Sequence, residues 1–206
     1  MFFKQIKNAD KMHDNFSYII ASEATGEALV IDPNFNADEI IQLAKKNRFI
    51  VKYIIATHHH RDHIAGIKEI KLSFGSKVVA HKLSRTDKDI EVVDGTTLRI
   101  DEIICKVIHT PGHTPDGICL LVNNKLFTGD TLFVGECGRT DLSEGNSEEM
   151  YNSLFHKLMK LDDAIEVYPG HDYGLQPHST IGIERRTNYT LEKRSLKEFV
   201  EFMKES

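Results

Sequence analysis

The sequence predicts a layered α/β sandwich, and three observations predict it. Short apolar runs rich in β-branched residues recur along the chain, the clearest being "FIVKYIIAT" at 49–57. Segments with apolar residues at helical spacing stand between groups of those runs. No Gly/Ser-rich or Pro-rich linker and no internal repeat divides the 206 residues, so one domain spanning 1–206 is expected. Strands whose two faces are covered by helices bury their apolar surface as layers.

The elements follow in order. "FSYIIAS" (16–22) and "EALVIDP" (27–33) read as strands joined around Thr25-Gly26. "NADEIIQLAKKN" (36–47) reads as a helix, with Asn36 as its N-cap, Glu39 three residues on, and Ile40, Leu43 and Ala44 on the apolar face. "FIVKYIIAT" is a strand buried on both faces. It runs into "HHHRDH" (58–63), after which "HIAGIKEIKLSF" (63–74) reads as one helix with Asp62 near its start. "KVVA", a polar stretch, then "TTLRI", "IICKVIHT" and "GICLLVN" supply further strands. "NKLFTGD" leads into a Gly-rich loop, "GECGRTDLSEG" (135–145). "SEEMYNSLFHKLMKL" is a helix with Met150, Leu154 and Leu158 on one stripe. "IEVYPGHDYG" is a strand ending in a turn, and "STIGIERRTN" and "KRSLKEFVEFMKE" are closing helices, the last with Leu196, Phe199, Val200 and Met203 in line.

Composition excludes several classes. The net charge of −5 comes with no basic stripe, which argues against a nucleic-acid partner. No apolar run is long enough to span a membrane. The N-terminal "MFFKQIKNADKMHDN" lacks a signal core and cleavage site, so a cytoplasmic protein is expected. Cys105, Cys119 and Cys137 are odd in number and widely spaced, which suggests neither a disulfide framework nor a thiolate zinc site. Cys105 and Cys119 sit in apolar strands and read as core residues.

The chemistry concentrates in "THHHRDH". In extended backbone, residues two apart point the same way, so His58 and His60 face one point and His59 faces away. Asp62 and His63 come as the chain turns and reach a second point nearby. One histidine alone is most often a satisfied polar group. A cluster is different, because adjacent imidazoles are costly to desolvate unless something binds them. Three more candidates stand at strand ends: His113 in "HTPGHTP", Asp130 in "FTGD" and His171 in "YPGHDYG".

"THHHRDH", "TPGHTP", "FTGDTLF" and "YPGHDY", in this order, resemble the metallo-β-lactamase-fold superfamily, and most closely its glyoxalase II (hydroxyacylglutathione hydrolase) and persulfide dioxygenase branches. The resemblance runs from "ALVIDP" to "ERRTN". It implies a four-layer αββα sandwich of two mixed β-sheets flanked by helices, with metals at one edge. It implies two metal positions: His58, His60 and His113 match the ligands of one, Asp62, His63 and His171 those of the other, and Asp130 the bridging carboxylate. Asp62 and Asp130 are the implied catalytic carboxylates. Imidazole and carboxylate donors suit two divalent ions of Zn, Fe or Mn. Such ions acidify a shared water and polarise a carbonyl.

Within the superfamily, a secreted class B β-lactamase is disfavoured by the absence of a signal peptide and by the presence of His63 and Asp130. An RNA-processing nuclease is disfavoured by the acidic charge. Hydrolysis of a thioester such as a hydroxyacylglutathione is the favoured expectation, supported by "GDTLF" and the full ligand set. The alternative is a mononuclear Fe(II) persulfide dioxygenase using His58, His113 and Asp130, which "CGRTD" and "HDYG" resemble; Leu142 stands where that branch usually has an aromatic residue. A non-enzymatic binding protein is the minor alternative, and the oligomeric state is left open. The small-molecule partner is a thioester or glutathione-type thiol derivative. Arg139 and Tyr173 are candidate substrate contacts, Asp172 a candidate to orient a ligand histidine, and Cys137 a non-catalytic neighbour of the site.

Overall fold

The computed structural model describes residues 1–7 and 14–205. Part of the N-terminal stretch considered for a signal sequence, residues 8–13, therefore lies outside the described residues. Two six-stranded sheets form the centre. The first has the order β1 (Phe2–Lys7), β2 (Phe16–Ala21), β3 (Glu27–Ile31), β4 (Ile50–Ile55), β5 (Lys77–His81), β6 (Ile90–Val92). Its β1–β2–β3 portion is antiparallel and its β3–β4–β5–β6 portion parallel.

The second sheet runs β12 (Ser179–Thr180), β11 (Glu166–Pro169), β10 (Lys125–Gly129), β9 (Ile118–Val122), β8 (Ile103–His109), β7 (Thr97–Ile100). Only β10 and β11 pair parallel. Both sheets are mixed, as expected.

Period-2 alternation explains the layering. Inward residues such as Tyr18, Leu29, Ile55, Val107 and Phe127 form the core between the sheets. Outward residues of the first sheet (Ile19, Val30, Ile54) pack on α1 (Ala37–Lys46) and α3 (Ile67–Phe74) through Ile40, Ala44 and Ile70. On the other side, Cys119, Leu126 and Val167 meet Met150, Leu154 and Leu158, together with Ile181 of α5 (Ile181–Thr187) and Phe199 of α6 (Leu196–Glu205). The result is the αββα order.

Several elements depart from expectation. The helix expected at 63–74 is two, α2 (Arg61–Ile64) and α3, because the backbone at Gly66 approaches the β3–α1 connection. A Cβ at Gly66 would stand 2.6 Å from the Asn34 carbonyl. Asn36 does not cap α1 with its side chain; its Nδ2 donates instead to Glu39 Oε2 at 2.5 Å. The expected helix at 147–161 starts as α4 (Ser147–Tyr151), then widens to a π-helical turn over Asn152–Lys157. Ser179 and Thr180 pair with β11 rather than joining α5. The strands β1 and β6 were not anticipated. Leu196 is 39% exposed, so the buried stripe of α6 rests on Phe199 and Met203. Among the described residues, no helix is long and apolar enough to cross a membrane.

Candidate metal centre

The chain delivers its polar groups at the carboxyl ends of β3, β4, β8, β10 and β11, which meet along one edge of the sandwich. Strand ends are rigid while the turns beyond them carry few backbone constraints, so side chains there are held in place yet face a cleft.

The histidine triplet lies just past β4, where the chain bends at Thr57 and His58 and is extended at His60 before α2 begins. His58 Nε2 lies 3.1 Å from His60 Nδ1, and His113 Nε2 lies 3.0 Å from the same atom. The second set is equally close: His63 Nε2 is 3.2 Å from His171 Nε2, and Asp62 Oδ2 lies 3.5 Å and 3.4 Å from those two nitrogens. Asp130 stands between the sets. Its Oδ2 is 3.5 Å from His113 Nε2 and 3.2 Å from His171 Nε2, and its Oδ1 is 3.3 Å from His63 Nε2. The structure thus brings all seven residues together, in three overlapping groups whose donor atoms lie within 4.8 Å of one another.

Hydrogen bonds behind the cluster decide which ring nitrogens carry protons. His113 Nδ1 donates to the Arg139 carbonyl at 2.8 Å, and His63 Nδ1 donates to Asp32 Oδ2 at 2.9 Å. Thr57 Oγ1 donates to the same Asp32 oxygen at 2.6 Å and accepts from His58 Nδ1 at 3.1 Å. In neutral rings with these tautomers, the Nε2 lone pairs of His58, His63 and His113 converge. Lone pairs aimed at one another repel unless a cation lies between them.

The electrostatics ask for the same thing. Burial, then the neighbouring His63, holds the pKa of His58 well below the ordinary imidazole value. His60 is lowered by burial and by His113. Burial opposes charge on His63, but Asp130 and Asp32 outweigh it and raise its pKa. Asp130 is likewise penalised by burial, yet His63 and His171 pull its pKa well below the carboxylate range. A pair of buried carboxylates that raises the pKa of one imidazole makes a place that favours a positive ion. This donor set fits a divalent metal with imidazole and carboxylate preference.

Asp32 escaped the sequence reading. It takes a Thr57 backbone N–H at 2.7 Å as well as the two side-chain donors, and its φ of 48° lies in the left-handed region that L-residues rarely occupy. One buried carboxylate thereby orients His63 directly and His58 through Thr57. The available signal was an aspartate closing an apolar strand in "ALVIDP". Asn15 also escaped; its Nδ2 donates to Asp62 Oδ2 at 2.8 Å. Asp172, expected to orient a histidine, instead accepts from Lys7 Nζ at 2.7 Å, because the turn after Gly170 swings it towards β1.

A cavity of about 270 Å³ opens from His113 and Asp130 and reaches Phe202 and Met203 on α6. Tyr173 forms part of its wall and stacks on His171, with ring centroids 4.7 Å apart. Burial, then Asp130, pushes the Tyr173 phenol up to about 12, so it stays protonated. Arg139 also lines the cavity, with Nε and Nη2 each 2.6 Å from the Asp141 carboxylate. Cys137 lies beside Met203 in the same wall, and burial raises its thiol to about 12.

Comparison with known proteins agrees with this fold. Residues 13–171 match the metallo-beta-lactamase superfamily. The chain is 39% identical to a cytoplasmic hydroxyacylglutathione hydrolase of Arabidopsis thaliana, over 79% of this chain and 65% of that protein, so it spans slightly under two thirds of that relative. It is 34% identical to the mitochondrial persulfide dioxygenase ETHE1 of Homo sapiens, over 91% of this chain and 75% of that protein. The crystal structure of ETHE1 from Myxococcus xanthus superposes with a TM-score of 0.93 at 33% identity, covering 99% of this chain and 90% of that one.

Proposed function

Because the chain belongs to the metallo-beta-lactamase superfamily, we propose that it is a metal-dependent hydrolase cleaving a thioester such as a hydroxyacylglutathione. One observation carries this reading: Asp130 stands between two complete donor sets, His58, His60 and His113 on one side and Asp62, His63 and His171 on the other. The relatives named hydroxyacylglutathione hydrolase support it.

When bound, divalent ions supply Lewis-acid chemistry, acidifying water and polarising the thioester carbonyl. The chain's own residues supply the rest. Asp62 keeps a lowered pKa: burial opposes its charge, and His63 and Asn15 favour it. Ionised Asp62 and Asp130 orient water by accepting its hydrogen bonds, and the converging imidazoles hold the cationic side of the site. Tyr173, kept protonated, donates to a substrate oxygen. Arg139 presents its guanidinium to a substrate carboxylate, which competes with the exposed Asp141 for the fork.

A second reading, a mononuclear iron persulfide dioxygenase using His58, His113 and Asp130, is favoured by the near-complete superposition on ETHE1 from Myxococcus xanthus. The two reactions differ in what they consume. Purified without chelator, the protein is expected to cleave S-lactoylglutathione under anaerobic conditions. Oxygen uptake with glutathione persulfide, and no thioester cleavage under any metal loading, would establish the second reading instead.

A further inference from the structure

His59 takes no part in the ring of converging nitrogens, yet it is mostly buried and both of its ring nitrogens have partners. Nδ1 lies 2.8 Å from Asp116 Oδ1, and Nε2 lies 3.0 Å from Glu144 Oε2. The two carboxylates belong to different parts of the fold. Asp116 is buried in the tight turn that carries His113, where Thr110 N donates to the Gly117 carbonyl at 2.8 Å. Glu144 sits near the end of the long connection from β10 to α4, which also carries Arg139, Thr140 and Asp141 along the cavity.

Among the described residues, that connection is also held near Glu144 by the Thr140 and Ser147 hydroxyls, 2.7 Å apart. Upstream, the Arg139 carbonyl accepts from His113. Downstream, Gly145 N donates to the Leu142 carbonyl at 2.8 Å and Asn146 N donates to the Gly112 carbonyl at 2.7 Å. Glu144 also meets the guanidinium of Arg85, whose side chain is 73% exposed. Exposed ion pairs of that kind hold little. The His59 contact is the better shielded one, with side-chain exposures of 16% and 25% for His59 and Glu144.

We propose that His59 is a positioning residue that ties Glu144 to Asp116 and so holds the Arg139-bearing connection in place against the cavity. The middle histidine thus sets the wall of the substrate pocket while its two neighbours face the metal position. This inference rests on the cavity being the substrate site of the proposed reaction.

The test uses the full chain loaded with metal, in wild type, His59→Ala, Glu144→Ala and the double variant. Hydrogen exchange at the Gly145 and Asn146 amides is expected to quicken about 10-fold in each single variant, and no further in the double, because both remove one tie. Bound metal should match wild type in all of them. With S-lactoylglutathione as probe, KM should rise about 10-fold with kcat nearly unchanged, as befits a lost polar contact away from the reacting atoms. Glu144→Gln keeps the size of the side chain and a polar oxygen facing His59 and should restore slow exchange, and Arg85→Ala should leave exchange and KM alone. Unchanged exchange in His59→Ala overturns the proposal, as does faster exchange with unchanged KM or loss of metal. If wild type does not cleave the thioester, the hydrolase reading fails by itself. The exchange result still judges the tie, and KM for glutathione persulfide under oxygen then judges its effect on the cavity.

Discussion

At the scale of single residues, the partners of each ring divide the triplet. His58 and His60 share one point with His113, whereas His59 faces two carboxylates. His58→Ala and His60→Ala are therefore expected to lose metal and His59→Ala to keep it, as read by elemental analysis; equal loss in all three would contradict the geometry. Three donors converge on Asp32, and two of them orient candidate ligands. Asp32→Asn turns one acceptor oxygen into a donor facing donors. Metal affinity should fall about 10- to 100-fold, the usual cost of losing a carboxylate behind a ligating histidine, and competition with a chromophoric chelator measures it.

At the scale of elements, close approach matters as much as sequence pattern. The turn after β11 brings Gly170 against β10, where Gly170 N donates to the Gly129 carbonyl at 2.8 Å. A Cβ there would stand 2.4 Å from Asp130 Oδ1 and 2.8 Å from His63 Cε1. Gly170→Ala must therefore displace Asp130, and the expected outcome is a folded protein with reduced bound metal, checked by circular dichroism alongside metal analysis. The helix α6 is held differently. Phe199 is fully buried among Tyr151, Phe155 and the outer face of the second sheet. Phe199→Ala should cost about 3–5 kcal/mol in denaturant unfolding.

At the scale of the whole molecule, acid stability has an identifiable contributor outside the metal cluster. His81, at the end of β5, is buried and stacks on His109 with centroids 3.9 Å apart. Burial, then the neighbouring His109, pushes its pKa down from 6.5 to about 4. Between those values the unfolded chain binds a proton that the folded chain does not. Stability therefore falls as pH drops through that window and is unaffected by this group above it. His81→Phe keeps a ring on His109 without the titration, so its urea midpoint should drop less than that of wild type between pH 7 and pH 5. An equal drop would assign the acid sensitivity elsewhere.

The sequence by itself determined the layers and the identity of the clustered donors. Apolar alternation in "FSYIIAS" and "FIVKYIIAT" names the buried faces, and the histidine spacing in "HHHRDH" names which rings can converge, because both depend on backbone geometry over a few residues. The strand β1 was not legible because "FFKQIK" is only partly buried and breaks that alternation. The break at Gly66 was not legible either, since what meets it comes from the β3–α1 connection. Tertiary structure alone decided that Asp32 would stand behind His63, that Asn15 would reach Asp62, that Asp172 would turn to Lys7 and that Glu144 would meet His59. Each joins residues far apart in the chain through single polar atoms. Such pairings carry no period, and they exist only once the strands have assembled and brought their ends to one edge.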